Sequence, residues 1–283
     1  MISCIRTFLI TAAAITGLQG AAHAQGVAMA VDRTGDVEVS AAGKAARLNV
    51  LDYLPPDAEL RLTAGAAATL VYLASSQEWQ FTGPGRYQLR AGQPAVLQGA
   101  APKARGVPAP SAQAMAKMEP AQRERMALGA VVMRASGPLR IVSPNDMDLL
   151  DTRPTLLWQA ADGQAVRITI TGSNKAVAAQ TVTTANQWTV PAALAAGDYA
   201  WRAEIVSDTP GAPRNGRFKV IAADDPRRVR IGAPAGPQLE GFGPRVARAM
   251  MLENEDLPHD ALLMWRQLAA ERPEEESLKQ WAR

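Results

Sequence analysis

The sequence predicts a mainly β protein: two small antiparallel β modules followed by a C-terminal α-helical hairpin. Short runs of alternating apolar and polar residues, separated by Gly and Pro, fill residues 27–98 and again residues 139–222. This alternation is typical of half-buried antiparallel strands, and the frequent turns favour a sandwich or a barrel. From residue 244 onward the apolar residues recur at helical spacing. The 283 residues suffice for two small domains and this tail.

The first 24 residues have the composition of a secretory signal peptide. Arg6 gives a positive start, residues 8–18 are mostly apolar, and residues 22–24 read Ala-His-Ala. The apolar run is too short for a membrane span, which takes roughly 20 residues. We therefore expect cleavage after residue 24 and export to the periplasm. Cleavage would remove Cys4, the single cysteine, and would leave His259 as the one histidine.

Composition argues against several classes of function. A formal net charge of +3 is too small to indicate binding to nucleic acid or to an anionic membrane. No segment after the leader is apolar for long enough to be an integral membrane segment. Without cysteine the mature chain has no thiol nucleophile and lacks the ligands of structural zinc. It also has no nucleophile elbow, P-loop or dinucleotide fingerprint. We predict no catalytic residue, no cofactor and no metal.

Three features of the mature chain could still carry chemistry. They are His259, an acidic loop (Asp146, Asp148 and Asp151) and a basic run (Arg227, Arg228 and Arg230). The histidine stands at a predicted helix start, where a solvated side chain is the ordinary outcome. The acidic loop lacks the central glycine and closing glutamate of a calcium-binding hand. We expect the acidic loop to be solvated, with a weak cation site as the alternative. We expect the basic run to be a solvated linker, with a contact for an acidic partner as the alternative.

The first module, residues 27–98, has four segments in the order that a known family shows. They are residues 35–39 (Gly-Asp-Val-Glu-Val), 54–62, 68–73 (Ala-Thr-Leu-Val-Tyr-Leu) and 83–89 (Gly-Pro-Gly-Arg-Tyr-Gln-Leu). On these residues the module resembles the periplasmic FecR-like domain. The resemblance implies an exported β domain without a particular activity. We find neither the anti-sigma segment nor the membrane helix of the iron-signalling members, and we expect no transmembrane signalling.

Residues 99–135 are predicted to be a linker with short helices. The segment starts rich in Ala, Pro and Gly, and residues 111–128 have a helical composition. Pro120 fits the first turn of a second short helix, because proline lacks only an amide that would be unpaired there. An apolar stripe is expected to serve packing and consists of Met115, Met118, Met126 and Leu128.

The second module, residues 139–222, has about six or seven short strands, the number typical of an immunoglobulin-like sandwich. It resembles fibronectin-type-III and related bacterial Ig-like domains at four places. They are residues 153–158 (Arg-Pro-Thr-Leu-Leu-Trp), 188–191 (Trp-Thr-Val-Pro), Leu194 and 197–203 (Gly-Asp-Tyr-Ala-Trp-Arg-Ala). This resemblance implies a fold and not a function, because such domains host many unrelated activities.

Residues 223–243 are predicted to be a loop, and residues 244–283 a helical tail. The tail has proline at three helix starts, and residues 245–273 resemble one tetratricopeptide-type helical pair. The positions that match are Ala249, Ala261, Trp265, Leu268 and Pro273. A single unit cannot cover its own apolar faces, so the pair must pack on the rest of the chain or on a partner. Trp265 and Trp281 are our candidate partner contacts.

These observations favour an exported, non-enzymatic periplasmic binding or scaffolding protein that contacts other proteins of the cell envelope. The alternative is a peptidoglycan- or glycan-binding module that stacks sugars on Trp79, Phe81 and Tyr87. A third hypothesis is a hydrolase that uses only carboxylates, since glycosidases need a single pair of acids. The ligand, the oligomeric state and the relative orientation of the β modules are left open by the sequence.

Overall fold

The computed structural model describes residues 26–128, 138–207, 211–232 and 241–283. The expected signal peptide lies outside these ranges. The described part is mainly β, with antiparallel sheets and C-terminal helices, which confirms the fold class predicted from the alternating segments. No helix within it is both long and apolar enough to cross a membrane.

The first domain contains ten strands in two five-stranded antiparallel sheets. The strands are β1 (Ala28–Thr34), β2 (Val37–Ala41), β3 (Lys44–Arg47), β4 (Tyr53–Leu54), β5 (Glu59–Leu62), β6 (Ala67–Tyr72), β7 (Gln77–Thr82), β8 (Gly85–Leu89), β9 (Pro94–Gln98) and β10 (Lys103–Gly106). Their orders are β10-β7-β6-β1-β4 and β3-β2-β5-β8-β9. Strand β10 lies in the segment predicted to be a linker, and it extends the first domain by pairing with β7.

Strand β1 is buried on both faces. Ala28 and Ala30 point into the core between the two sheets, whereas Met29 and Val31 belong to a separate core that the helices form. A continuous apolar run, here residues 27–31, is what a strand covered on both sides requires. The outer face of the first sheet is therefore a packing surface and not a solvated one.

The second domain contains eight strands in a three-stranded and a five-stranded sheet. The strands are β11 (Leu139–Ser143), β12 (Met147–Leu149), β13 (Thr155–Ala160), β14 (Val166–Gly172), β15 (Val177–Thr183), β16 (Gln187–Thr189), β17 (Gly197–Ile205) and β18 (Arg214–Val220). Their orders are β11-β13-β16 and β12-β18-β17-β14-β15, with β12 and β18 parallel. Trp158 of one sheet and Trp201 of the other meet in the core between them.

The described residues form five helices. They are α1 (Ala109–Leu128), α2 (Pro226–Ile231), α3 (Phe242–Asn254), α4 (Pro258–Glu271) and α5 (Glu276–Trp281). Helix α1 runs through Pro120, so the predicted break there is wrong. Proline removes a single amide, and contacts between α1 and α3 support the helix. Helix α2 lies in the predicted loop, where the Asp225 carboxylate caps it by accepting from the Arg227 amide at 2.9 Å.

The helices pack on the outer face of the first sheet and form a third core. Met115 of α1, Met250 of α3, Trp265 of α4 and Trp281 of α5 all belong to it, together with Val31 of β1. The helical tail is thus packed on its own chain. This answers the question that the tetratricopeptide-like pattern left open.

Candidate functional site

The tryptophans predicted to contact a partner are not on the surface. Trp265 is 0% exposed and Trp281 is 4% exposed, and their rings pack at a centroid distance of 5.4 Å. The indole of Trp265 also donates to Glu253 Oε1 at 3.2 Å. The prediction is wrong because these large apolar side chains fill the core between the helices and the first sheet.

The predicted sugar-stacking row is absent as well. Phe81 and Tyr87 are each 0% exposed, and they meet edge to face in the core of the first domain. The Tyr87 hydroxyl lies within hydrogen-bond distance of two carbonyls, those of Thr82 and Ala100, at 3.1 and 2.9 Å. Trp79, which shares strand β7 with Phe81, is half-buried. Two of the three rings cannot reach a ligand, because alternation along β7 and β8 points them inward.

His259 is buried, which contradicts the expectation of a solvated side chain. Its Nδ1 lies 2.7 Å from the Ser143 hydroxyl oxygen, at the end of β11. Burial, with the Arg266 charge as a smaller cause, lowers its pKa to about 4. The imidazole is therefore neutral near pH 7. Because both partners are buried, this serine–histidine pair joins α4 to the second domain and is closed to a substrate.

Asp260, the next residue, makes a second connection between α4 and the second domain. Its carboxylate accepts from the backbone amides of Leu150 and Asp151 at 2.8 and 3.1 Å. Burial raises its pKa to about 6, against the opposing effect of these two amides. One turn of α4 thus anchors the helix to the loop between β12 and β13.

The basic run makes contacts inside the molecule, so it is not the solvated linker that we expected. Arg227 bridges Asp148 and Asp225 at 2.7 and 2.9 Å, and it lowers the pKa of Asp225 to about 2. Arg228 donates to the carbonyls of Ala222, Leu150 and Ile221, and Arg230 pairs with Glu255. Asp148 of the predicted acidic loop is therefore half-buried in an ion pair. The described residues contain no group of three or more potential metal ligands.

A buried ion pair that the sequence analysis missed fixes the start of α5 to the first domain. Glu275 pairs with Arg33, and its second oxygen accepts from the Val50 amide at 3.0 Å. Both side chains are almost fully buried. Close by, Ser277 donates to the Val50 carbonyl at 2.6 Å. Glutamates such as those at residues 274–276 are expected at the start of any helix, because negative charge there is favourable. The sequence therefore does not indicate that one of them forms a buried ion pair.

A concave site lies where the three-stranded sheet meets the end of the helical tail. We call it the junction pocket; its volume is about 500 Å³. It is lined by Arg140, Val142, Trp158, Gln159, Asn186, Gln187, Arg266 and Arg283. Strands β11 and β13 contribute four of these residues, Gln187 begins β16, and Asn186 precedes it. Arg266 lies on α4, and Arg283 lies two residues after the end of α5. None of these residues was a candidate in the sequence analysis.

The junction pocket is basic, because three arginines line it and, among the described residues, no aspartate or glutamate does. The Arg140 side chain donates to Gln159 Oε1 at 3.1 Å, and the Arg266 side chain donates to the Ala282 carbonyl at 3.2 Å. Burial lowers the pKa of Arg266. Arg283 is 3.7 Å from Glu276, and both of these side chains are largely exposed. The positive charge in the pocket is therefore only weakly compensated.

A second groove, of about 670 Å³, lies between the five-stranded sheet of the second domain and the turn before α4. Its charged lining is mixed and consists of Asp146, Asp148, Asp198, Asp256, Arg217 and Lys219. Asp148 is already paired with Arg227. Basic residues line this groove together with the acids, so it has no charge of one sign comparable to that of the junction pocket.

Comparison with known proteins gives no family for this chain. No protein-family model matches it, and no curated protein matches it in sequence.

Proposed function

We propose that this chain is an exported, non-enzymatic binding or scaffolding protein of the periplasm, and that it contacts an envelope protein through the junction pocket. The observation that carries the proposal is a concave site whose described lining has three arginines and neither aspartate nor glutamate. Arginines that are grouped in a concave surface attract a ligand of opposite charge. We therefore assign the partner contact to this pocket.

The connections between the domains support a scaffold with a preformed site. His259 and Asp260 join α4 to the second domain, and Glu275 joins the start of α5 to the first domain. These contacts hold the sheet and the helical tail next to each other. Because the lining of the junction pocket comes from both, its shape depends on them, and a preformed site loses less entropy when it binds.

The use of the buried ionisable groups supports a role without catalysis. His259 is neutral and enclosed against Ser143, Glu275 is paired with Arg33, and Asp260 accepts from two amides. Each of these groups has at least one hydrogen-bond or ion-pair partner inside the protein. A general acid or base must instead reach the proton that it transfers in a bound substrate.

The proposal of export is based on the signal-peptide-like composition of residues 1–24. The resemblances of the two β domains to FecR-like and fibronectin-like domains belong to the same proposal. N-terminal sequencing of the protein from a fractionated Gram-negative host tests it. We expect the mature chain to begin at Gln25 and to be released with the periplasmic fraction. A full-length chain that stays with the cytoplasm would contradict the proposal of export.

Site-specific photo-crosslinking in cells tests the role of the junction pocket. A photoreactive amino acid replaces Gln187 in the pocket or, as the matched control, Gln180, an exposed glutamine on β15. We expect Gln187 to give a discrete adduct with an envelope protein that Gln180 does not give. The adduct should be lost when Arg140→Gln is added. The same adduct from both positions, or none from Gln187, would refute the proposed role.

No specific observation favours the other hypotheses. The glycan-binding proposal loses two of its three rings to the core of the first domain. The hydrolase proposal is left with the aspartates of the second groove, where Asp148 is bound to Arg227 and basic residues accompany the acids.

A further inference from the structure

We propose that the junction pocket recognises an acidic peptide segment of a partner protein. This inference rests on the proposed function and adds the chemical class of the partner. Its starting point is the charge of Arg140, Arg266 and Arg283, which line one cavity together. A guanidinium group offers a planar set of donors that matches a carboxylate, so several of them favour a ligand with more than one carboxylate.

The neutral residues of the pocket are donors as well. Gln159 Oε1 accepts from Arg140, and Asn186 Oδ1 accepts from the Ala160 amide at 3.0 Å. The Asn186 carbonyl accepts from the Trp158 amide at 3.1 Å. The acceptor atoms of both side-chain amides are thus engaged within the protein, which leaves their NH₂ groups for a ligand. Such a pocket selects a ligand rich in acceptors, namely carboxylates and backbone carbonyls.

The size and position of the pocket favour a peptide over a small anion. About 500 Å³ lies in the range that holds a drug-sized ligand, well above the space that one phosphate needs. Strand β16, which begins at Gln187, is also at the edge of its sheet. A strand edge can pair with the backbone of an extended peptide. An acidic segment can therefore place its carboxylates on the arginines while its backbone runs along β16.

Calorimetric titration of the full mature chain with defined probes tests this inference. The probes are a blocked tetraglutamate peptide, the tetraglutamine peptide of the same length, and inorganic phosphate. We expect tetraglutamate to bind, tetraglutamine to bind at least tenfold more weakly, and Arg140→Gln to weaken tetraglutamate binding about tenfold. The matched control is Arg167→Gln, an exposed arginine on β14. It should change the affinity less than twofold.

Three outcomes would overturn the inference. Equal binding of both peptides would show that the carboxylates are not recognised. Equal loss in Arg140→Gln and Arg167→Gln would show a diffuse effect of the basic chain. Phosphate binding as tight as that of tetraglutamate would show a small-anion site instead. If tetraglutamate fails while the Gln187 cross-link persists and depends on Arg140, the acidic-peptide inference is wrong and the proposed binding function stands.

Discussion

The helical tail makes two contacts of different character with the two β domains. Against the first domain it forms an extended apolar core, which contains Trp265 and Met250 of the tail together with Met29 and Val31 of β1. Against the second domain it uses hydrogen bonds, which His259 and Asp260 of α4 make. Among the described residues, Leu150 is the one residue of that domain that packs against the helical core.

The two contacts are expected to differ in how their stability depends on pH. Burial of large apolar side chains is the main source of stability, and its free energy depends little on pH. Hydrogen bonds through His259 and Asp260 involve groups with shifted pKa values, so their contribution changes with pH. We infer that the first domain and the helices form one cooperative unit, and that the second domain is held to it by a titratable contact.

Replacement of Trp265 by alanine tests the apolar contact and should have the largest effect. Loss of a fully buried tryptophan costs about 3–5 kcal/mol of unfolding free energy. Denaturant unfolding followed by circular dichroism would measure it. The comparison variant is Trp201→Ala, which empties the core of the second domain to a similar degree. If the two units unfold separately, each variant should shift a different transition. A shift of the same transition by both variants would contradict the division.

Replacement of Glu275 by glutamine tests the one buried ion pair of the first contact. It leaves the buried Arg33 charge without its counter-ion, which we expect to cost roughly 3 kcal/mol. The double variant with Arg33→Met should recover part of that loss. As the control, Glu59→Gln breaks a largely exposed pair with Arg86 and should cost about 1 kcal/mol or less. Equal losses in both single variants would mean that the Glu275 pair is not buried in solution.

The pH dependence of His259→Gln tests the contact with the second domain. The pKa of His259 falls from its ordinary value of 6.5 to about 4 on folding. Its contribution is therefore complete above pH 6.5 and is lost as the pH falls towards 4, by up to about 3 kcal/mol. We expect His259→Gln to be less stable than the natural chain at pH 7, and the difference to shrink on acidification. A constant difference from pH 7 to pH 4 would be inconsistent with a buried neutral imidazole.

Asp260→Asn should show the opposite trend, which makes it an internal control. Folding raises the pKa of Asp260 from 3.8 to about 6, so its contribution is complete below pH 3.8 and is lost as the pH rises through 6. The deficit of Asp260→Asn relative to the natural chain should therefore grow as the pH falls. Equilibrium unfolding at matched pH values would measure both variants together.

More of the fold than of the site could be predicted from the sequence, because the alternation that marks a strand is visible in consecutive residues. The alternation of residues 166–170 and 197–205 predicts β14 and β17 directly. Burial of Trp265 could not be predicted with the same confidence, since an amphipathic helix has the same sequence whether its own chain or a partner covers it. The continuous apolar run at residues 27–31 was a usable signal that the first sheet is covered on its outer face.

The junction pocket could not be predicted, because its lining comes from distant parts of the chain. Arg140, Gln187 and Arg266 have no common spacing, and they meet only when α4 packs beside the three-stranded sheet. The same holds for His259, whose burial depends on the position of Ser143 in another domain. Sequence patterns report on neighbours along a helix or strand, whereas these contacts depend on the packing of one domain against another.

Of the variants proposed here, Arg140→Gln should have the smallest effect on stability. The side chain is exposed, and its one described hydrogen bond is to Gln159. Surface substitutions of this kind change the unfolding free energy by about 0.5 kcal/mol or less. The same variant should nevertheless lose the cross-linked adduct at Gln187. A loss of stability as large as that of Glu275→Gln would mean that Arg140 serves the fold, and the pocket would then be a structural feature instead of a binding site.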